Sequence, residues 1–387
     1  MPELLVSDWN FLRLSLDELG PFRQGLQQFD FFGVDTDDES PTAAGPANLY
    51  MLLAKNAYGK TTILDTMYGL FGLLNSVPTG RFADISATGR AQLDIRASWT
   101  IDGRSQTVLL SLWTGSEAPL YSYDDTELDV LAQAKSWARL GLKMVGNGVQ
   151  ATAETNELGT LLLNAIQAQL QVAPTELFGL SQIMPTVLYF PADRRVVAPA
   201  GHESVTRPTA WGYQPAQIFS SDGPEWGNSV DNILVWLEWL ADRRTDKAED
   251  RRVDELLAFL NDLIFRDDPT KYILPPQREE LRTFVQTRYG VHPLAALSHG
   301  ERALLQILGR TLTHMTSNTV ILIDEIEIHL HTRWMNRMFE SMKELLRKYQ
   351  ALSMIFTTHN RELIQVFSHQ TKEEGLVKGG HLIENEI

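Results

Sequence analysis

The sequence predicts an α/β fold with a mixed β-sheet core, and its clearest stretches carry that prediction. The apolar run at 49–53 reads as a buried strand and residues 54–62 as a tight loop. Ile63, Leu64, Met67, Phe71 and Leu74 then recur at helical spacing. Val320, Ile321, Leu322 and Ile323 form a continuous apolar run, as a strand covered on both faces does. A helical stretch at 334–349 and a strand at 353–357 follow it. The runs 91–101 and 105–114 alternate around Asp102, Gly103 and Arg104, the pattern of a β-hairpin and the start of an antiparallel β subdomain.

The remaining elements follow in chain order. Residues 4–9 and 11–16 read as opening strands, and 33–46 as a loop rich in Asp, Glu, Ser, Pro and Gly. The segments 127–142 and 157–172 look helical, with Gly146, Asn147 and Gly148 breaking the text between them. Residues 186–190 give a short buried strand, and 199–228 a long irregular connection. Val230, Ile233, Leu234, Leu237 and Leu240 stripe one helix, and Val253, Leu256, Leu257, Leu260 and Leu263 stripe the next. The charged residues 242–252 between them make an αα-hairpin with a polar tip. Trp236 and Trp239 lie beside the first stripe, where core packing is the simpler role and partner contact the other. A strand at 283–287 and a helix ending near Leu312 precede the 320–323 run. These readings divide the chain into an N-terminal lobe at 1–116, an inserted helical lobe at 117–280 with its αα-hairpin near 230–265, and a C-terminal lobe at 281–387.

Composition narrows the function classes. The 387 residues are 43% hydrophobic, ample for a sizeable core, and no long uncharged apolar run suggests a membrane span. The opening residues lack a basic region followed by an apolar block, so no secretory signal is expected. The absence of cysteine excludes disulfides and thiolate metal sites and fits a reducing, cytoplasmic setting. A net charge of −15 argues against a broadly basic nucleic-acid surface, though it leaves a local basic groove open.

The stretch Ala54, Lys55, Asn56, Ala57, Tyr58, Gly59, Lys60, Thr61, Thr62 joins a strand to a helix. In that setting backbone N–H groups and the positive helix end cradle a polyphosphate. Asn56, Gly59, Lys60, Thr61 and Thr62 would surround the phosphates, with Lys60 on the outer ones and the Thr61 hydroxyl on Mg²⁺. Ala54 stands where the pattern has Gly, and a chance Gly-Lys-Thr in a surface turn is the plain alternative.

Asp324 and Glu325 follow the buried run directly. Ligands of an open α/β sheet bind at that carboxyl edge. Asp324 can there hold the Mg²⁺ shell and Glu325 can polarise a water in line with a γ-phosphate, against a reading as surface carboxylates. Ser298 and Glu301 fit a capping box, a complete structural explanation, while the exposed helix N-terminus with Gly300 also suits a terminal phosphate. His359 ends the strand at 353–357; a lone histidine is commonly a satisfied polar residue, and the order of the sites before it supplies its context.

In that order the chain resembles the ABC-type ATPase superfamily, and within it the soluble SMC, RecF and OLD-like branch. AKNAYGKTT resembles the Walker A loop, LSHGE the LSGGQ signature, VILIDE Walker B, and TTHN the switch-histidine loop. DEIEIHLH is similar to the DEPE-x-x-LH pattern of ATPases in prokaryotic anti-phage systems, and VLYFPADRR to the strand-and-arginine segment ahead of the signature. The resemblance covers 1–110, 280–387 and the segment near 190. It departs at Ala54 and Ala57, at His299 and Glu301 within the signature, and at Ile326 and Thr332 where prolines are common.

The resemblance implies an ABC-ATPase head acting as a face-to-face homodimer or higher oligomer. Lys60 and Thr61 of one copy and Ser298, Gly300 and Glu301 of the other would hold one ATP. Asp324 would organise Mg²⁺, Glu325 would be the general base and His359 would sense the γ-phosphate; Gln182 is a candidate for the glutamine that links Mg²⁺ to the helical lobe. It implies slow ATP hydrolysis that controls a separate effector, a nuclease or toxin, or a sensor protein in anti-phage defence. The residues after His359 are too few for the nuclease domain of OLD proteins, so such an effector is expected on another polypeptide. One alternative is a DNA-repair or SMC-like ATPase clamping nucleic acid through Arg194, Arg195, Arg243, Arg244, Arg251 and Arg252. Another is a nucleotide-gated scaffold with little turnover. A zinc reading of His329 and His331 with Glu325 and Glu327 lacks the H-E-x-x-H spacing, and no G-x-S-x-G nucleophile occurs.

Overall fold

The computed structural model describes residues 4–33, 45–54, 58–78, 89–172, 184–194, 205–208, 211–220, 227, 229–243, 252–277, 279–328, 330–369 and 376–383. Its elements begin with β1 (Leu4–Asp17), β2 (Gln27–Asp30), β3 (Leu49–Ala54), α1 (Lys60–Gly72), β4 (Arg90–Ile101), β5 (Arg104–Thr114), α2 (Asp125–Ala132), β6 (Ser136–Val145), β7 (Gly148–Ala151) and α3 (Glu157–Leu170). They continue with β8 (Thr186–Phe190), β9 (Ala216–Ile218), α4 (Val230–Arg243), α5 (Arg252–Phe265), β10 (Tyr272–Ile273), β11 (Phe284–Thr287) and β12 (Gly290–Pro293). Then come α6 (His299–His314), β13 (Thr319–Ile323), α7 (Thr332–Lys348), β14 (Leu352–Thr357), α8 (Arg361–His369) and β15 (Lys378–Ile383).

The strands around the candidate site form a six-stranded sheet in the order β15-β3-β14-β13-β8-β9. Every described pairing in it is parallel. Both faces are covered, which explains the continuous apolar reading of 320–323. Val320 and Leu322 face one core with Tyr50, Leu52, Val187, Tyr189 and Ile355, while Ile321 and Ile323 face a second with Leu49, Met51, Leu188, Phe190 and Phe356. The first core is closed by α1 and the second sheet; the second core is closed by α4, α5, α6 and α7.

The other six-stranded sheet runs β2-β1-β4-β5-β6-β7 and supplies the β subdomain. The β4–β5 hairpin stands as expected, turned by Asp102 and Gly103, both with positive φ. Mixed pairing falls in this sheet, where β5 and β6 run parallel between antiparallel neighbours, and the core sheet is the all-parallel one. The opening strands are one strand, β1, interrupted by register shifts between Ser7 and Asn10 and between Phe11 and Arg13. Residues 127–142 are not one helix: α2 ends at Ala132, and Ala138, Leu140 and Leu142 alternate inward along β6. Period two wins there because pairing with β5 extends the segment and one face packs into the core shared with Leu162 and Ile166 of α3.

β6 and β7 complete the sheet begun by β1, and β8 and β9 complete the core sheet, so both sheets draw strands from either side of residue 116. The αα-hairpin of α4 and α5 forms with both apolar stripes buried in the second core. Trp236 is buried there and stacks on Trp239 at 4.9 Å, so both tryptophans pack within the fold. The hairpin's charged tip at 244–251 lies outside the described residues, as do 34–44 and half of 199–228; the described half of that expected irregular connection contains β9, which pairs with β8. No helix among the described residues is long and apolar enough to cross a membrane.

Candidate functional site

The loop after β3 meets the core sheet at its carboxyl edge. Ala54 ends β3 as a strand residue and is not among those with positive φ, so its Cβ sits there without backbone strain. Gly59 does require glycine. Its φ is 93°, and an added Cβ would stand 2.4 Å from the Phe22 ring and 2.8 Å from Pro21. α1 begins directly after it with no side-chain cap and no acidic residue in its first turn, so neither a capping side chain nor a local carboxylate competes for its positive dipole end.

Lys60 is 6% exposed, and its Nζ donates to the Ala54 carbonyl at 2.8 Å. Burial pulls its ammonium below the ordinary lysine value, against the opposing pull of Asp324, Glu325 and Glu327. Thr61 Oγ1 donates to Asp324 Oδ2 at 2.7 Å, joining positions 263 residues apart. Pro21, Tyr58, Gly59, Lys60, Thr61, Thr62, Glu325 and His359 line a cleft of about 240 Å³ above this contact.

Asp324 is fully buried, and its second oxygen, Oδ1, accepts from Thr357 Oγ1 at 2.6 Å. The same Thr357 hydroxyl accepts the Glu325 N–H at 2.7 Å. Glu325 has φ 47°, a conformation that L residues seldom adopt and that the surroundings must impose. Arg194 supplies the rest of that constraint. Its Nη1 donates to the Asp324 carbonyl at 2.6 Å and to Pro191 at 3.1 Å, and its Nη2 donates to the Glu325 carbonyl at 2.9 Å. Burial pushes this guanidinium down to about 10, opposed by Asp324, Glu327 and Glu325. Arg194 is therefore an internal brace rather than a surface group for nucleic acid.

The Glu325 side chain is 34% exposed and reaches the cleft, where its Oε1 stands 3.4 Å from Nε2 of His359, itself 35% exposed. The geometry brings together Gly59, Lys60, Thr61, Thr62, Asp324, Glu325 and His359. Thr61 and Asp324 present a hydroxyl and a carboxylate oxygen side by side, hard donors of the kind a Mg²⁺ ion takes, so the residues present fit that ion.

Residues 215–365 match a protein-family model described as "AAA domain, putative AbiEii toxin, Type IV TA system". None of the curated proteins matches the chain. Among solved structures, the SMC head domain from Thermotoga maritima is similar at 12% identity and a TM-score of 0.37, covering 92% of this chain and 91% of that one. cbiO1 from Clostridium perfringens, part of the ABC transporter complex cbiONQ, is similar at 10% identity and a TM-score of 0.35, covering 92% of this chain and 82% of that one. The chemistry therefore rests on the residues of the cleft themselves.

The serine-glycine helix tip lies apart from that cleft within one copy: Ser298, Gly300 and Glu301 do not line it. Ser298 caps α6, accepting the Glu301 N–H at 3.4 Å and donating to Glu301 Oε2 at 2.8 Å. Glu301 is buried, and its other oxygen pairs with Lys271 at 2.6 Å, so its carboxylate is committed to the cap and the ion pair. Gly300 is required by packing, since an added Cβ would stand 2.4 Å from the Trp334 ring. Ser298 and His299 at the tip are exposed.

Asn56, Gln182, Arg195, Arg244, Arg251 and His329 lie outside the described residues. The sequence reading did not assign Thr357, Glu327 or the bracing role of Arg194. Thr357 had a signal: it ends a predicted strand, and the structure sets that strand beside the one that ends at Ile323, just before Asp324.

Proposed function

We propose that this chain is an ABC-type ATPase that binds ATP with Mg²⁺, dimerises around it and controls a partner effector or sensor in anti-phage defence. The observation that carries the reading is the Thr61–Asp324 bond, which seats the lysine-threonine loop against the carboxylates at the end of β13. In this reading the first turn of α1 and Lys60 take the β- and γ-phosphates of ATP. Thr61 and Asp324 would hold Mg²⁺, which supplies charge neutralisation on the phosphate oxygens.

Glu325 then accepts a proton from the attacking water, the water oxygen bonds to the γ-phosphorus, and the bond to the β-phosphate oxygen breaks to leave ADP. His359, in reach of Glu325, donates to the γ-phosphate or to the water. The exposed tip at Ser298, outside the cleft of its own copy, suits contact with the ATP of a second copy. The family match at 215–365, whose description names a toxin of a toxin–antitoxin system, supports a defence setting.

The test is ATP binding and hydrolysis by the purified chain. Lys60→Ala is expected to lose both, and Glu325→Gln to bind ATP, lose turnover and accumulate as a dimer in ATP. Normal turnover by Glu325→Gln would remove Glu325 as the base. A monomer under all nucleotide conditions would remove the shared-ATP arrangement.

A further inference from the structure

One carboxylate beside the cleft has no part in the steps above. Glu327 stands in the turn after β13, two positions beyond Glu325. Its Oε1 accepts the backbone N–H of His359 at 2.5 Å. Its Oε2 is buried and has no hydrogen-bond partner among the described residues. Its charge also acts on Lys60 and Arg194, favouring the protonated form of both.

The histidine loop needs such a tie. Residues 358–360 link β14 to α8 without regular structure. Asn360 is occupied locally: its N–H donates to Thr358 Oγ1 at 3.0 Å, and its side chain accepts from Glu362 and Leu363 at the start of α8. His359 is instead fastened to the turn after β13, by its N–H on Glu327 and its ring near Glu325. The turn is rigid, because Ile328 N–H closes it on the Glu325 carbonyl at 2.9 Å and Ile326 N–H bonds Thr357 O at 3.1 Å.

We propose that Glu327 is the positioning residue for His359, fixing the loop so that the imidazole stays within reach of Glu325 and of the γ-phosphate. The second half of that statement rests on the ATPase reading; the first does not. Glu327 acts through an acceptor oxygen, so a glutamine serves in its place and an alanine or methionine does not. The field of Glu327 on Lys60 is lost alike in the Ala, Met and Gln variants, so what Ala and Met lose beyond Gln is the tie to His359, and that loss falls on turnover rather than on ATP affinity.

The experiment uses the full chain labelled with ¹³C-histidine, with the ring resonance of His359 assigned through His359→Gln. Without nucleotide, Glu327→Ala and the similarly sized Glu327→Met are expected to shift or broaden that resonance, and Glu327→Gln to leave it in place. With ATP, Ala and Met are expected to lower kcat on the order of 10- to 100-fold, as misplacement by about an ångström does. The ATP dissociation constant should change less than about threefold, and Gln should restore most of kcat. An unmoved resonance in Ala and Met overturns the proposal, and so does a Gln variant as impaired as Ala. If the native chain fails to hydrolyse ATP, the ATPase reading falls while the resonance comparison still decides the role of Glu327.

Discussion

The hydroxyl of Thr357 donates to Asp324 Oδ1 at 2.6 Å. Through the same oxygen it accepts the N–H of Glu325 at 2.7 Å, so one side chain holds the buried carboxylate and the turn that aims the candidate base. Thr357→Val keeps the shape and removes both bonds. Leaving the Asp324 oxygen and the Glu325 N–H without partners is expected to cost about 1–3 kcal/mol, read as a lower urea midpoint, with ATP turnover falling at least about tenfold. Thr357→Ser should recover most of both.

Gly59→Ala tests the phosphate loop. The left-handed φ of 93° and the approach of Phe22 at 2.4 Å both oppose a Cβ, so the loop must move away from the start of α1. The expected result is a loss of ATP affinity of at least about tenfold by calorimetry, with a fold otherwise intact by circular dichroism. Ala54→Gly, at a strand position without strain, should change affinity by less than about threefold.

Arg194→Met leaves the carbonyls of Asp324 and Glu325 without their donor. Stability should fall by about 2 kcal/mol in urea unfolding, and turnover should fall further than stability because Glu325 loses its imposed conformation. Arg194→Lys should recover little, since an ammonium is a point charge that cannot reproduce the planar fork.

Asp94 offers a pH test remote from the cleft. It is buried in the β subdomain, accepting from Ser111 at 2.6 Å, Gln92 at 2.8 Å and Tyr123 at 2.7 Å. Burial pushes its carboxyl up from 3.8 to about 6, against those bonds and the field of Arg13. A raised folded-state value means the folded chain holds this proton more tightly than the unfolded chain. Its stabilisation is complete below 3.8 and is lost as the pH rises through about 6. Asp94→Asn should therefore flatten the dependence of urea stability on pH in that window relative to the native chain.

Much of the core was legible because burial on both faces writes itself into local composition. The strand at 186–190, the hairpin of β4 and β5, and the stripes of α4 and α5 stand where periodicity places them. The region 127–142 misled because its apolar residues satisfy a helical spacing as well as an alternation, and only the partner strand β5 selects between them. Arg194 was legible as a residue and not as a brace, since its donors go to backbone carbonyls at 324 and 325, which no side-chain pattern marks.

By itself the sequence determined which segments are strand, loop and helix around Lys60, Asp324 and His359, because each motif is a local run with its own period. Only the tertiary structure decided that Thr61 touches Asp324, that Thr357 serves Asp324 and Glu325 together, and that Glu327 fastens His359. Those contacts depend on strand order and register: β14 lies between β3 and β13, with Ile323 opposite Phe356, so the next residues of both strands meet. Register is a property of paired chains, and a one-dimensional text records it only through the burial it produces.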